Sequence, residues 1–174
     1  MLTSNDGFSC AHAASENGHT EALKLLIEVG GKELVMLTTN DGVTCAFFAS
    51  ENGHAEALGM LIEVGGKELV MLTGDEGRSC AYIASLNGHA EALRMLIEAG
   101  GTELLMLTNN GGLSCAYIAS EKGHAEALRM LIDAGGQELL MLKSDGFSCA
   151  DVASFKGHTE ALRMLIEAGV KMRA

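Results

Sequence analysis

Apolar positions along the chain fall into two alternating patterns. The first is a short run of small side chains, Cys10-Ala11 followed by Ala14-Ser15, whose size suits close helix approach. The second carries bulkier residues, Leu23, Leu26 and Ile27, at the i, i+3, i+4 spacing of one buried helical face. Each pattern predicts a helix. Ser9 precedes the first and is placed to cap it by accepting a bond from free amides. Gly18 follows it in the left-handed position that ends a helix. Gly30-Gly31 reads as the stop of the second helix. The next segment, Lys32-Glu33-Leu34-Val35-Met36-Leu37, is too apolar for an open loop and predicts a helical turn folded back onto its neighbours.

The alternation repeats along the whole chain. Cys10, Cys45, Cys80, Cys115 and Cys149 recur at steps of 35, 35, 35 and 34 residues. His19, His54, His89, His124 and His158 keep that stride, each inside a Gly-His pair. Ser9, Thr44, Ser79, Ser114 and Ser148 repeat the cap, and Asp-Gly or Gly-Gly pairs such as Asp6-Gly7 and Gly111-Gly112 supply the turns. One such unit cannot bury its own apolar face, so a period of this size predicts an all-α stacked solenoid. The expected organisation is one domain over 1–174, with units at approximately 1–35, 36–70, 71–105, 106–140 and 141–174.

Charge and composition narrow the function. The balance is acidic, 12 Lys+Arg against 23 Asp+Glu, with no basic cluster to track phosphates, which argues against nucleic acid. No apolar run approaches the ~18–20 residues of a membrane span, and Met1-Leu2-Thr3-Ser4 lacks the features of a signal peptide. Equivalent cysteines in stacked helices lie roughly 8–10 Å apart, too far for a disulfide. One Cys and one His per unit are too few for a tetrahedral metal site. The cysteines therefore read as small core residues in a reducing, cytoplasmic setting, with no metal and no cofactor. A catalytic constellation converges once, whereas His, Ser and Glu here recur at a fixed stride, so an enzyme is not expected. Each Gly-His histidine is expected to bond the loop near its own helix start. On the second helix, Glu91, Arg94 and Glu98 are spaced as exposed ion pairs.

The stretch G-F-S-C-A-H-A-A-S-E-N-G-H-T-E-A-L-K-L-L-I-E-V-G resembles the ankyrin repeat, D-x-x-G-x-T-P-L-H-x-A-A-x-x-G-H-x-x-x-V-x-x-L-L-x-x-G-A, and the likeness covers all five copies. It implies an ankyrin-like solenoid of helix–loop–helix units with finger turns, which binds proteins through fingers and concave inner helices. Two departures stand out. Cys replaces the box Pro and Ala the box Leu, and the box His survives only as His12, so the usual Thr–His bond is open only to Ser9 and His12. The unit also exceeds the usual ~33 residues by two, and the extra length predicts a helical turn in place of a plain β-hairpin finger.

These readings give a non-enzymatic protein-binding or scaffold module as the expected function. The alternative is a structural or engineered array, or a fragment of a larger one, without a partner of its own. All seven aromatics lie between the turn glycine and the end of the first helix. Phe48 is assigned to packing. Two rows drift between copies: Phe8, Val43, Arg78, Leu113 and Phe147 after the turn, and Glu16, Glu51, Leu86, Glu121 and Phe155 at the helix end. By resemblance both rows face the concave groove. Tyr82 and Tyr117 border it, with packing and contact both open. Aromatic and Arg anchors amid Asp6, Asp41, Asp75, Glu76 and Asp145 favour a neutral-to-basic protein or peptide. A monomer is the favoured state. Neither end resembles a dedicated cap: Met1-Leu2-Thr3 repeats Met36-Leu37-Thr38, and the last copy adds Asp151, Lys156, Lys171 and Arg173 as a mild polar dressing. End-to-end self-association is therefore a second possibility.

Overall fold

The computed structural model describes residues 3–172, so Met1, Leu2, Arg173 and Ala174 lie outside the described residues. Ten α-helices form five pairs among the described residues: α1 Cys10–Glu16 with α2 Thr20–Val35, α3 Cys45–Glu51 with α4 Ala55–Val70, and α5 Cys80–Asn87 with α6 Ala90–Leu105. The series continues with α7 Cys115–Lys122 and α8 Ala125–Leu140, then α9 Cys149–Lys156 and α10 Thr159–Glu167. Odd helices pack on odd neighbours and even on even, giving an inner and an outer row with the core between them. Leu58, Leu93 and Leu128 are fully buried there, each stabilising by roughly 1.5–3 kcal/mol.

Local signals act as their residue types dictate. Ser9, Thr44, Ser79, Ser114 and Ser148 each accept a bond from the backbone amide three residues on. Arg94 pairs with Glu91 and Glu98, both at 2.6 Å, as the spacing predicts. Gly31 takes φ 54°, ψ −150°, a non-helical region closed to other residues, so it breaks α2 at the glycine pair and kinks the chain, as the Gly30-Gly31 stop predicts. Lys32–Val35 then resumes the helix, which is the expected folded-back turn. The finger beyond still closes by one antiparallel bridge, Thr38 to Thr44, so the extra residues lengthen the helix and leave the tip a narrow turn. The fifth finger, one residue shorter, is a two-residue Asp145-Gly146 hairpin with both φ positive, the type I′ geometry.

The Gly-His pairs join neighbouring units, contrary to the local role expected of them. His54 Nε2 donates to the Glu16 carbonyl at 3.1 Å, His89 to Glu51 at 3.0 Å, His124 to Leu86 at 3.1 Å and His158 to Glu121 at 2.9 Å. Each acceptor belongs to the last turn of the preceding odd helix, where carbonyls lack helical partners. The ring also lies over the preceding glycine: a Cβ on Gly18, Gly53, Gly88 or Gly123 would come within 2.5–2.6 Å of it. Finger tips are joined too, with Asn40 N donating to the Asp6 carbonyl at 2.9 Å and Asp75 N to Asp41 at 2.7 Å. At the short fifth finger the Ser144 hydroxyl donates to Gly111 instead, at 2.9 Å.

All five cysteines are free thiols, but Cys10 is exposed and so is not the core residue expected, because among the described residues no unit covers the face that buries its counterparts. Burial pushes the thiols of Cys45, Cys80 and Cys115 up to about 12 and that of Cys149 to about 11. A thiol reagent at neutral pH should thus consume one group quickly and the other four only on unfolding. Equal titration of all five would contradict this burial. For the junctions, urea denaturation of His89→Ala should show a loss of about 1–2 kcal/mol, while His19→Ala, whose ring is exposed and has no hydrogen-bond partner among the described residues, should stay within about 0.5 kcal/mol of the parent.

Candidate protein-binding groove

Two hollows lie between the fingers and the odd helices. The first, about 320 Å³, is lined by Asp41 and Val43 of one finger, Gly74, Asp75, Glu76 and Arg78 of the next, and Phe47 and Glu51 of α3. Glu76 holds a left-handed backbone, φ 64°, and its carboxylate meets Arg78 Nη2 at 3.0 Å. Asp41, Glu51 and Asp75 make no ion pair among the described residues. The hollow thus presents three carboxylates without an ion pair among the described residues beside the apolar groups of Val43 and Phe47.

The second hollow, about 310 Å³, is lined by Tyr117 and Glu121 of α7, Phe147 of the fifth finger, and Asp151, Val152, Phe155 and Lys156 of α9. It is more apolar: Phe147 is 45% and Phe155 86% exposed. Lys156 Nζ lies 3.4 Å from Glu121. Burial raises the Tyr117 phenol above its ordinary value, with the nearby Glu121 carboxylate adding to it.

The geometry therefore gathers Val43, Arg78 and Glu51 in one hollow, and Phe147, Glu121, Phe155 and Tyr117 in the other. The rest of the two rows lies apart. Phe8 stacks on His12 and meets Phe48 edge-on, both at 5.4 Å between centroids, which makes its ring a packing group. Leu86 and Leu113 are half-buried, and Glu16 is exposed. Tyr82 is only 6% exposed and lines neither hollow; burial raises its phenol, opposed by Arg78. His12 is fully buried, with Nδ1 2.8 Å from Ser9 Oγ and Nε2 donating to the Leu37 carbonyl at 3.2 Å, the Ser–His contact that only this unit allows. Desolvation lowers its pKa.

Sequence reasoning noted Asp41, Asp75 and Glu76 only as a diffuse acidic field; their convergence on one hollow comes from stacking of adjacent fingers, which no single unit displays. Lys156, read from the sequence only as polar dressing of the last copy, and Val152 were not expected to line a groove. Among the described residues no His/Cys/Asp/Glu group has metal-site geometry, and no helix is long and apolar enough to cross a membrane.

A search of curated proteins finds no match to the chain. A family model described as ankyrin repeats (3 copies) matches residues 1–71 and 82–174. With that match over most of its length and helix pairs stacked as such repeats require, the chain belongs to the ankyrin-repeat family, a type of protein-interaction module.

Proposed function

We propose that this chain is a non-enzymatic binding module whose concave, finger-side groove takes a neutral-to-basic protein or peptide segment. The observation that carries this reading is the first hollow, where Asp41, Glu51 and Asp75 converge beside Val43 and Phe47 with only Arg78 opposing them. A Lys or Arg side chain fits it by laying an apolar stem on the floor and its charge among the carboxylates. The second hollow, with Phe147 and Phe155 exposed, takes an apolar anchor from the same segment. A formal net charge of −11 raises the encounter rate with a basic partner, and that gain falls with added salt. The free thiols support a reducing, cytoplasmic setting.

A pull-down from lysate, followed by anisotropy titration of synthetic segments of the captured protein, tests the reading. The triple variant Asp41→Asn, Glu51→Gln, Asp75→Asn should weaken binding about tenfold, about 1.4 kcal/mol, and flatten its salt dependence. Phe155→Ala, which alters only an exposed ring, should weaken it as well. The outer-row changes Arg94→Ala and Arg129→Ala should leave affinity within about twofold, since both side chains point to solvent. Loss of binding from the outer-row changes with the groove changes silent would place the interface elsewhere. Failure to capture any partner would favour the array without one.

A further inference from the structure

The two faces at the ends of the stack are uncovered copies of the surfaces that meet at the four internal junctions. Ala57, Ala92, Ala127 and Ala161 are buried, yet Ala22 at the same position is exposed. Ser15, Ser50, Ser85 and Ser120 are buried, yet Ser154 is exposed. The first set therefore faces a preceding unit and the second a following one. Gly157 keeps the positive φ of its counterparts, 77°, but no described residue lies within 4 Å of the Cβ site that a histidine ring covers at Gly18, Gly53, Gly88 and Gly123. His19, the one Gly-His histidine without an acceptor among the described residues, lies on the opposite face.

We propose that these faces are mutually complementary, so that one copy docks head to tail on a second, with His19 of the second seated over Gly157 of the first and bonded to the Phe155 carbonyl. Every element of the contact has an internal precedent. Ile27 shares a groove with Met60 and Val64 of the next unit; in the docked pair the exposed Ile166 meets Leu25 and the 92%-exposed Val29 in the same register. Ser15, Ser50 and Ser120 sit beside the thiols of Cys45, Cys80 and Cys149, and Ser154 would likewise cover Cys10. Lys32–Glu68 and Lys67–Glu103 cross internal junctions at 2.7 Å, and Lys171 and Glu33 stand in the equivalent register of the two end faces. The contact is heterologous, so it does not close as a two-fold dimer and propagates from copy to copy. Because each copy carries a formal net charge of −11, repulsion opposes the contact and added salt strengthens it.

The test is sedimentation equilibrium from micromolar to millimolar protein, with and without added salt, on the parent chain and two end-blocked variants. The parent's average mass should climb past two chain masses of 18.2 kDa, and further in high salt. Ala22→Arg blocks one face and Ser154→Arg the other, so each alone should stay at one chain mass. Their equimolar mixture should reach two chain masses and stop, because only one blocked-end pairing is possible. The Cys10 thiol should react more slowly as the parent assembles. Both substituted positions are exposed, and a circular dichroism spectrum matching the parent's verifies folding; Leu25→Glu and Ile166→Glu form a second pair if it does not. A parent that stays at one chain mass up to millimolar overturns the proposal. So does a mixture that fails to pair, or a single variant that still assembles.

Discussion

A glycine with positive φ leaves room where every other residue carries a Cβ, and at four junctions of this chain the next unit's histidine ring fills that room. The same ring donates to a carbonyl at the end of the preceding inner helix, a group that the helix itself cannot satisfy. One residue pair thus ends a helix, sets the distance to the next unit and removes an orphan acceptor. The apolar contacts supply most of the energy, but they are non-directional. The Gly-His seat gives them a register, and the finger-to-finger bonds from Asn40 and Asp75 fix the other edge of each unit against the same neighbour.

That register creates the groove. Asp41 and Asp75 lie 34 positions apart in sequence, and they line one hollow because adjacent fingers are stacked in step. The positions that hold the stack (the caps, the small inner-helix residues, the Gly-His pair) are used up in packing. Those that drift between copies are left at the finger bases and the inner-helix ends. The two hollows differ for this reason: drift put carboxylates and Arg78 in one, and Phe147 with Phe155 in the other.

What was legible in the sequence divides along the same line. Caps at Ser9 and its copies, left-handed glycines such as Gly18, the Ser9–His12 contact and the Arg94 pairs all depend on residues close in the chain, and all were readable. The acceptor of each Gly-His histidine was misassigned because it lies 37 or 38 residues away, in another unit. Cys10 was misread as core because burial at that position is supplied by a preceding unit, and none is present among the described residues. Tyr82 could not be decided from its row because ring burial depends on how closely two inner helices approach. The break at Gly31 and the helical turn after it were readable too, because a glycine pair followed by an apolar run is a local signal.

If stability resides in the junctions between units, it must be highest where a unit has two neighbours and lowest where it has one. Native-state hydrogen exchange of the intact chain, kept dilute, measures this directly. The junction account predicts that amide protection peaks in α5 and α6 and falls stepwise toward α1 and α10. Uniform protection across all five helix pairs, or a maximum at either end, would contradict it.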